Sequence, residues 1–220
     1  MALDLEEIDR SMSFHPSEAT TISCGTVTID PAKQKLLLIW NKKLKIYQLP
    51  KGRKNIGEDM LSAAIRETYE ETGVRTAPWR LKIATRATPP SDHSHSADDT
   101  ARADEQLKSQ QANGNDCRDS SSESSGCEIT EGQLSTEFLG CCRYPDPQSS
   151  IPTMKVVFFF AATADSTLPR GPGAQEDWEK LEMTWTSTSE AAAMLRFKAE
   201  AAIVRKALED VRKSGYSVAG

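Results

Sequence analysis

Between residues 51 and 74 the chain reads "KGRKNIGEDMLSAAIRETYEETGV", and the end of this stretch crowds Glu67, Glu70 and Glu71 behind Arg66. The spacing predicts one helix over 58–72. Its interior carries Ala63, Ala64 and Ile65 with no proline or glycine, and Gly73 follows as a stop. At about 3.6 residues per turn, Leu61, Ala64, Ile65, Thr68 and Thr72 share the face expected to be buried. Glu67 and Glu71 run along one edge of that face, and Glu70 lies further toward solvent. Like charges four residues apart weaken a helix, and the dipole at its C-terminal end works against acids there. Two accounts of the crowding remain. One is a solvated acidic face with Arg66 in partial compensation; the other is a hard-cation site for Mg²⁺ or Mn²⁺.

The neighbourhood favours the cation. Between Pro31 and Gly57 there is no acid, while eight basic residues fall in the span: Lys33, Lys35, Lys42, Lys43, Lys45, Lys51, Arg53 and Lys54. Lysines also protect exposed strand edges, which accounts for Lys42, Lys43 and Lys45 without any ligand. That account fits "PKGRKNIGE" less well, because Gly52 and Gly57 bracket a loop just ahead of the helix. A divalent cation beside a basic rim is what a polyphosphate needs: the metal bridges phosphate oxygens and the side chains bind the rest.

The rest of the chain reads as mixed α and β, with helices for both faces of a curved sheet. Strands are expected at 21–29, 36–40, 46–49, 79–87 and 154–163, and an extended piece at 178–186. The run "MKVVFFFAAT" suits a central strand buried on both sides. A helix is expected after "TSE", capped by Thr188 or Ser189. A last amphipathic helix is expected over 198–213, with Ala202, Ile203, Ala207 and Leu208 on its apolar side. Residues 1–20 read as a flexible tail and 21–220 as one domain. Within it, 89–150 reads as a largely disordered Ser/Asp-rich insertion, too poor in bulky apolar groups to offset the entropy of ordering. Its three-residue "DHS" carries His93, next to His95, and neither they nor His15 of the tail fits a catalytic pattern.

Function classes narrow from composition. The net charge of -5 speaks against a general nucleic-acid binder. No apolar run reaches the roughly 20 residues of a membrane span. The five cysteines, an odd number, are expected to be ordinary thiols. The cytoplasm, with the nucleus as the other choice, is the expected setting.

The stretch "GRKNIGEDMLSAAIRETYEETGV" resembles the Nudix box, G-x5-E-x7-R-E-U-x-E-E-x-G-U, with Gly52, Glu58, Arg66, Glu67, Glu70, Glu71, Gly73 and Val74 in register. Thr68 departs from it, standing where the family prefers a bulky aliphatic residue. "SCGTVTI", "YQLPKG", "KVVFFFAA" and "WEKLEMTWTSTSEAAAMLRF" are similar to other parts of that family. The lead-in and the acid before Trp185 look most like the diadenosine polyphosphate and diphosphoinositol polyphosphate hydrolase branches. The resemblance implies an α/β/α sandwich and a pyrophosphohydrolase using Mg²⁺ or Mn²⁺. It makes Glu67 and Glu71 metal ligands, Glu70 a ligand or the base for the attacking water, and the Gly52 carbonyl a further ligand. Glu58 would assist from the loop, Arg66 would hold a glutamate in place, and Glu179, with Glu182 second, would supply a late acid. Lys51, Arg53, Lys42 and Tyr47 would face a small-molecule polyphosphate. A capped 5′ RNA end would fit the same chemistry. The rival expectation is a non-catalytic module of the same fold that binds a phosphorylated partner.

Overall fold

The computed structural model describes residues 4–88, 133–147, 149–172 and 181–218. The chain divides into one unit made of Met1–Ile83 with Gly132–Gly220 and a second, Ala84–Glu131, of which 84–88 are described. The first unit carries the fold. Its span 1–20, expected to be loose, contains helix α1 (Leu5–Ser11), because the Asp4 carboxylate caps it by accepting from the Glu6 and Glu7 N–H groups at 3.1 Å. A single 3₁₀ turn, Ser17–Ala19, leads into strand β1 (Thr20–Asp30). Then come β2 (Lys35–Asn41), β3 (Ile46–Gln48), β4 (Lys51–Arg53), helix α2 (Met60–Thr72), β5 (Ala77–Pro78) and β6 (Leu81–Lys82). After residues 89–132, which lie outside the described residues, follow β7 (Leu134–Ser135), β8 (Gly140–Pro145), β9 (Met154–Thr163), β10 (Leu181–Ser187), α3 (Thr188–Met194) and α4 (Lys198–Lys213).

Eight of the described strands form one sheet in the order β10-β2-β1-β9-β5, with β3 added to β2, β4 to β1 and β8 to β9. The sheet is mixed, since β1 and β9 run parallel from Thr20 opposite Met154 to Ile29 opposite Thr163, and the other pairings are antiparallel. The alternation of each strand sorts its side chains between two layers. Val27 and Ile29 of β1 and Val157, Phe159 and Ala161 of β9 enter the larger core, shared with Ala191 of α3 and Val204, Ala207 and Leu208 of α4. Cys24 and Phe160 face the other way, onto Ala63 and Ala64 of α2. The result is the expected α/β/α arrangement, with "MKVVFFFAAT" at its centre.

Several expectations differ in detail. Ser187, not Thr188 or Ser189, caps α3, its hydroxyl accepting from the Ser189 N–H. On α4 Ala207 is buried as expected, but Ala201 is buried and Ala202 exposed, because the stripe is centred on Val204, Leu208 and Val211. On α2 Ala63 is buried and Ile65 only half-buried. Of the strand expected over 79–87 the described residues form only β6, with β5 ending just before it: Trp79, Leu81 and Ile83 are buried in alternation, but their backbone finds only short lengths of partner strand. The insertion expected to reach residue 150 overlaps β8, whose six residues pair with β9 from Gly140 opposite Phe159 to Pro145 opposite Met154.

Thr68 shows how α2 docks without the aliphatic residue of the pattern. Its hydroxyl donates to the Ala64 carbonyl at 2.8 Å and meets the Thr26 hydroxyl of β1 at 2.7 Å, which in turn meets Thr28 at 2.7 Å. All three threonines are buried. One direction satisfies the chain: Thr28 donates to Thr26, Thr26 to Thr68, and Thr68 to the helix. The helix is thus registered on the sheet by directional bonds where small residues leave little apolar contact. Thr68→Val is expected to lower unfolding free energy by about 1–2 kcal/mol, since it leaves Thr26 without its acceptor. Combined with Thr26→Val it should cost less than the sum, with a coupling of about 1 kcal/mol in urea denaturation; strict additivity would refute the hydroxyl chain.

Candidate active site

Helix α2 begins where the Asp59 carboxylate accepts from the Ser62 N–H at 2.9 Å, and it ends at Gly73, whose φ of 70° is the left-handed cap that a glycine adopts without strain. Its last turns carry the acids, and one guanidinium gathers most of them. Arg66 Nε donates to Glu58 Oε1 at 2.8 Å and Nη2 to Glu58 Oε2 at 2.9 Å. Nη1 donates to Glu67 Oε1 at 2.7 Å and to Glu70 Oε2 at 2.8 Å. The second Nη2 hydrogen reaches the Arg53 carbonyl of β4 at 2.9 Å. All the N–H donors of the guanidinium are therefore used. Glu58 also accepts from the Asn55 N–H, which fixes the loop before the helix.

Glu71 is held differently: the Lys51 N–H of β4 donates to its Oε2 at 2.8 Å. Glu67 sits against Gly52, where an added Cβ would lie 1.8 Å from Glu67 Oε2, so any side chain here would displace this carboxylate. The four carboxylates thus form a band along β4. Their oxygens are the ligand type that a hard divalent cation takes, so the donor chemistry fits Mg²⁺ or Mn²⁺. Among the described residues, however, no three His, Cys, Asp or Glu side chains are arranged as a metal-binding group. The acids point instead to Arg66 and Lys51.

A polar cleft of about 530 Å³ opens beside the band, lined by Glu70 and Glu71, Lys42 at the end of β2, Arg170, and Glu182 of β10. Glu70 is the more exposed of the Arg66 partners, at 35 % of its side chain against 13 % for Glu67. The Arg170 segment is fixed on the end of α2 by the Gly171 N–H, which donates to the Gly73 carbonyl at 2.9 Å. Lys42 and Glu182 stand 3.4 Å apart as an exposed pair of little energetic weight. A second hollow of about 610 Å³, lined by Asp30, Lys33, Arg75 and Thr163, contains none of the α2 acids.

The other expected residues fall in distinct places. Glu179 lies outside the described residues, as do Cys117, Cys127, His93 and His95. The Lys51 ammonium turns away from the acids, to Glu200 of α4 at 3.8 Å. Arg53 is exposed, 3.6 Å from Asp146. Tyr47 packs on the larger core with its ring 4.8 Å from that of Trp40. Cys24, Cys141 and Cys142 are free thiols, and burial pushes the Cys24 thiol up to about 11, so it stays protonated. Two residues escape the sequence reading. Arg170 stands in "LPRGPG", a plain loop by composition. Glu200 is 4 % exposed and accepts from the Leu49 N–H at 3.0 Å. Its signal is its position: it shares the stripe of Ile203, Val204, Ala207 and Leu208, where an acid needs a partner.

The paired hydrogen bonds from Arg66 hold the Glu58 carboxyl below its ordinary range, against a smaller opposing effect of burial. A depressed folded value means stability that is present above the unfolded value, about 4.3, and lost as pH falls through the folded one. Glu58→Gln should therefore flatten the fall in unfolding free energy between pH 6 and pH 3. Identical acid limbs for both proteins in urea titrations would contradict this.

The NUDIX domain family model matches residues 20–121. No curated protein matches the chain. Among solved structures it is similar to a NUDIX hydrolase from Nitrosomonas europaea, at 15% identity over 86% of this chain and 89% of that one, with a TM-score of 0.48. It is similar to a C. elegans Ap4A hydrolase in a binary complex, at 15% identity over 87% of this chain and 98% of that one, TM-score 0.47. It is also similar to the E. coli dihydroneopterin triphosphate pyrophosphohydrolase, at 11% identity over 84% and 92%, TM-score 0.46. At these identities none of the three carries a substrate over to this chain. The matched segment takes in β1 to β6 and α2, with every carboxylate gathered on Arg66, and over it the chain resembles the NUDIX domain.

Proposed function

We propose that the protein hydrolyses a pyrophosphate bond in a nucleoside or inositol polyphosphate, with diadenosine polyphosphates or diphosphoinositol polyphosphates preferred. The single observation that carries this reading is the opening of the α2 acids onto a polar cleft that also presents Lys42 and Arg170. Acids and cations facing one hollow suit a phosphate chain attacked by water and bound by its non-reacting oxygens.

We assign the roles on this reading. Glu67, Glu70 and Glu71, with the Gly52 carbonyl, would hold Mg²⁺ or Mn²⁺, which when bound lowers the pKa of water and neutralises phosphate charge. Glu179 is assigned the late acid, with Glu182, which lines the cleft, as its second. Glu70 lines the cleft and is the best exposed of the group, so it takes the proton from the attacking water. The water oxygen then bonds to phosphorus, and the bridging oxygen leaves with the electron pair of the broken P–O bond. Arg66 keeps Glu58, Glu67 and Glu70 aimed, a supporting role that its five donors suit. Lys42, Arg53 and Arg170 bind phosphate oxygens, while Tyr47 and Lys51 form the wall behind β4.

Glu71→Gln tests this directly. The amide oxygen still accepts from the Lys51 N–H, so the fold is expected to survive. Turnover of a diadenosine tetraphosphate and diphosphoinositol pentakisphosphate panel under Mg²⁺ and Mn²⁺ should fall about a thousandfold, or about 4 kcal/mol of transition-state stabilisation. A folded Glu71→Gln protein with full activity would refute the assignment. Binding of these compounds by the wild type with no phosphate released under either metal would favour the non-catalytic module. The product identities separate the nucleotide substrates from the inositol ones.

A further inference from the structure

The chain changes partners between β3 and β4. Strand β3 pairs with β2 and ends at Gln48, and β4 pairs with β1 from Lys51, so Leu49 and Pro50 lie between the two ladders. Pro50 has no N–H to place there. Leu49 has one and is buried, and a buried donor left without an acceptor costs stability. Its acceptor comes from the other layer: Glu200 Oε2 of α4, at 3.0 Å. Strand register turns Lys51 to the same layer, because Gly25 stands opposite it and shares a face with Val27 and Ile29 of the larger core. There the Lys51 ammonium stands 3.8 Å from Glu200 Oε1. The Tyr47 carbonyl, two residues before Leu49, accepts from the Arg196 N–H at 3.2 Å. Tyr47, Leu49 and Lys51 are thus held at alternate positions by the corner that opens α4.

An acid is a costly residue for that place. Glu200 is buried in the stripe that carries Ile203, Val204, Ala207 and Leu208, where an apolar side chain would bring no charge to desolvate. Cys142 and Tyr144 share this face on β8, and burial pushes them up to about 11 and about 12, so both stay neutral. The Lys51 ammonium is the charge that offsets Glu200. What the acid secures lies on the other face of the same short strand. There the Lys51 N–H donates to Glu71 Oε2 at 2.8 Å, and Gly52 lies against Glu67. A drift of the crossing at Leu49 and Pro50 would move both the donor that aims Glu71 and the backbone beneath Glu67.

We propose that Glu200 is a positioning residue for the hydrolysis: from the α4 layer it fixes the chain from Leu49 to Lys51, and through the Lys51 N–H it sets the direction of Glu71. The proposal rests on the reading of the α2 acids as a pyrophosphohydrolase site. Glu200 lies across β4 from those acids and takes no part in the chemical step. Its loss acts on the rate and spares the binding of phosphate oxygens by Lys42 and Arg170.

Two measurements on the full-length protein test this. Hydrogen exchange of the Lys51 amide, read by NMR in metal-free buffer, needs neither turnover nor a bound ion. Glu200→Leu should speed that exchange about tenfold. With diadenosine tetraphosphate and diphosphoinositol pentakisphosphate under Mg²⁺ and Mn²⁺, it should lower kcat about tenfold and hold KM to within about twofold. Glu200→Gln keeps an oxygen for the Leu49 N–H and should recover most of the rate. Asp210→Asn is the control: it weakens the ion pair of another buried acid of α4, with Lys206, and should leave Lys51 exchange and kcat unchanged. Wild-type exchange or wild-type kcat in a folded Glu200→Leu protein would overturn the proposal, as would equal losses in Asp210→Asn. Should Glu200→Leu fail to fold, the same two measurements on Glu200→Met decide between these outcomes. Full activity of Glu71→Gln would refute the hydrolase reading on its own, whatever Glu200→Leu does to the Lys51 amide.

Discussion

Everything at the C-terminal end of α2 hangs on one guanidinium. Arg66 donates to Glu58 on the loop, to Glu67 and Glu70 on its own helix, and to the Arg53 carbonyl of β4. Hydrogen bonds to charged groups contribute about 1.5–3 kcal/mol each when buried, and these are discounted by the quarter of the side chain that meets solvent. The larger consequence is geometric. A lysine would offer one point charge and could not span a bidentate carboxylate, two further acids and a carbonyl at once. The fork lets a helix end carry like charges that would otherwise repel one another and oppose the dipole. It also ties the helix to the strand whose Gly52 leaves room for Glu67.

The second constraint is that β4 is gripped from both layers. On the α2 side the Lys51 N–H donates to Glu71; on the α4 side Glu200 accepts from the Leu49 N–H and faces the Lys51 ammonium. Between them the Pro50 carbonyl accepts from the Thr26 N–H of β1. Three residues of edge strand are thus set by two helices and the central strand, which is more than three residues of ladder would achieve alone. Burial holds the Glu200 carboxyl above its usual range, opposed by the Lys51 charge. The acid is tolerated because both its oxygens have partners, and it is the element by which the far layer reaches the site.

This arrangement explains which parts were legible in the sequence. The α2 period, its glycine stop, the apolar run of β9 and the span of α4 depend on local pattern, and the structure follows them closely. The crowding of acids after Arg66 also depends on short spacing, and those acids do come together. What local pattern does not contain is parity between strands. Whether Lys51 faces the acids or faces α4 is decided by Gly25 standing opposite it, a pairing 26 positions apart that no periodicity reveals. The Thr68 departure was visible, but its meaning needed Thr26 and Thr28 from a strand 40 residues away. Lys155 was visible too, as the one charge in an apolar run, and was absorbed into a strand expected to be buried on both faces.

The two faces then carry opposite sign around one thin strand. Acids line the α2 side of β4, held by Arg66 and a backbone N–H; Lys51, Arg53 and Lys155 line the α4 side, opposed by Glu200 and Asp146. Separation by a strand keeps each set available to a ligand while leaving them close enough for Lys155 to feel Glu71. A polyphosphate laid over the edge of β4 would, on the proposed reading, meet the α2 acids on one side and, on the other, cations opposed by Glu200 and Asp146. On the proposed reading, the distribution of charge across the strand is therefore what sets the order in which a phosphate chain is held and cut.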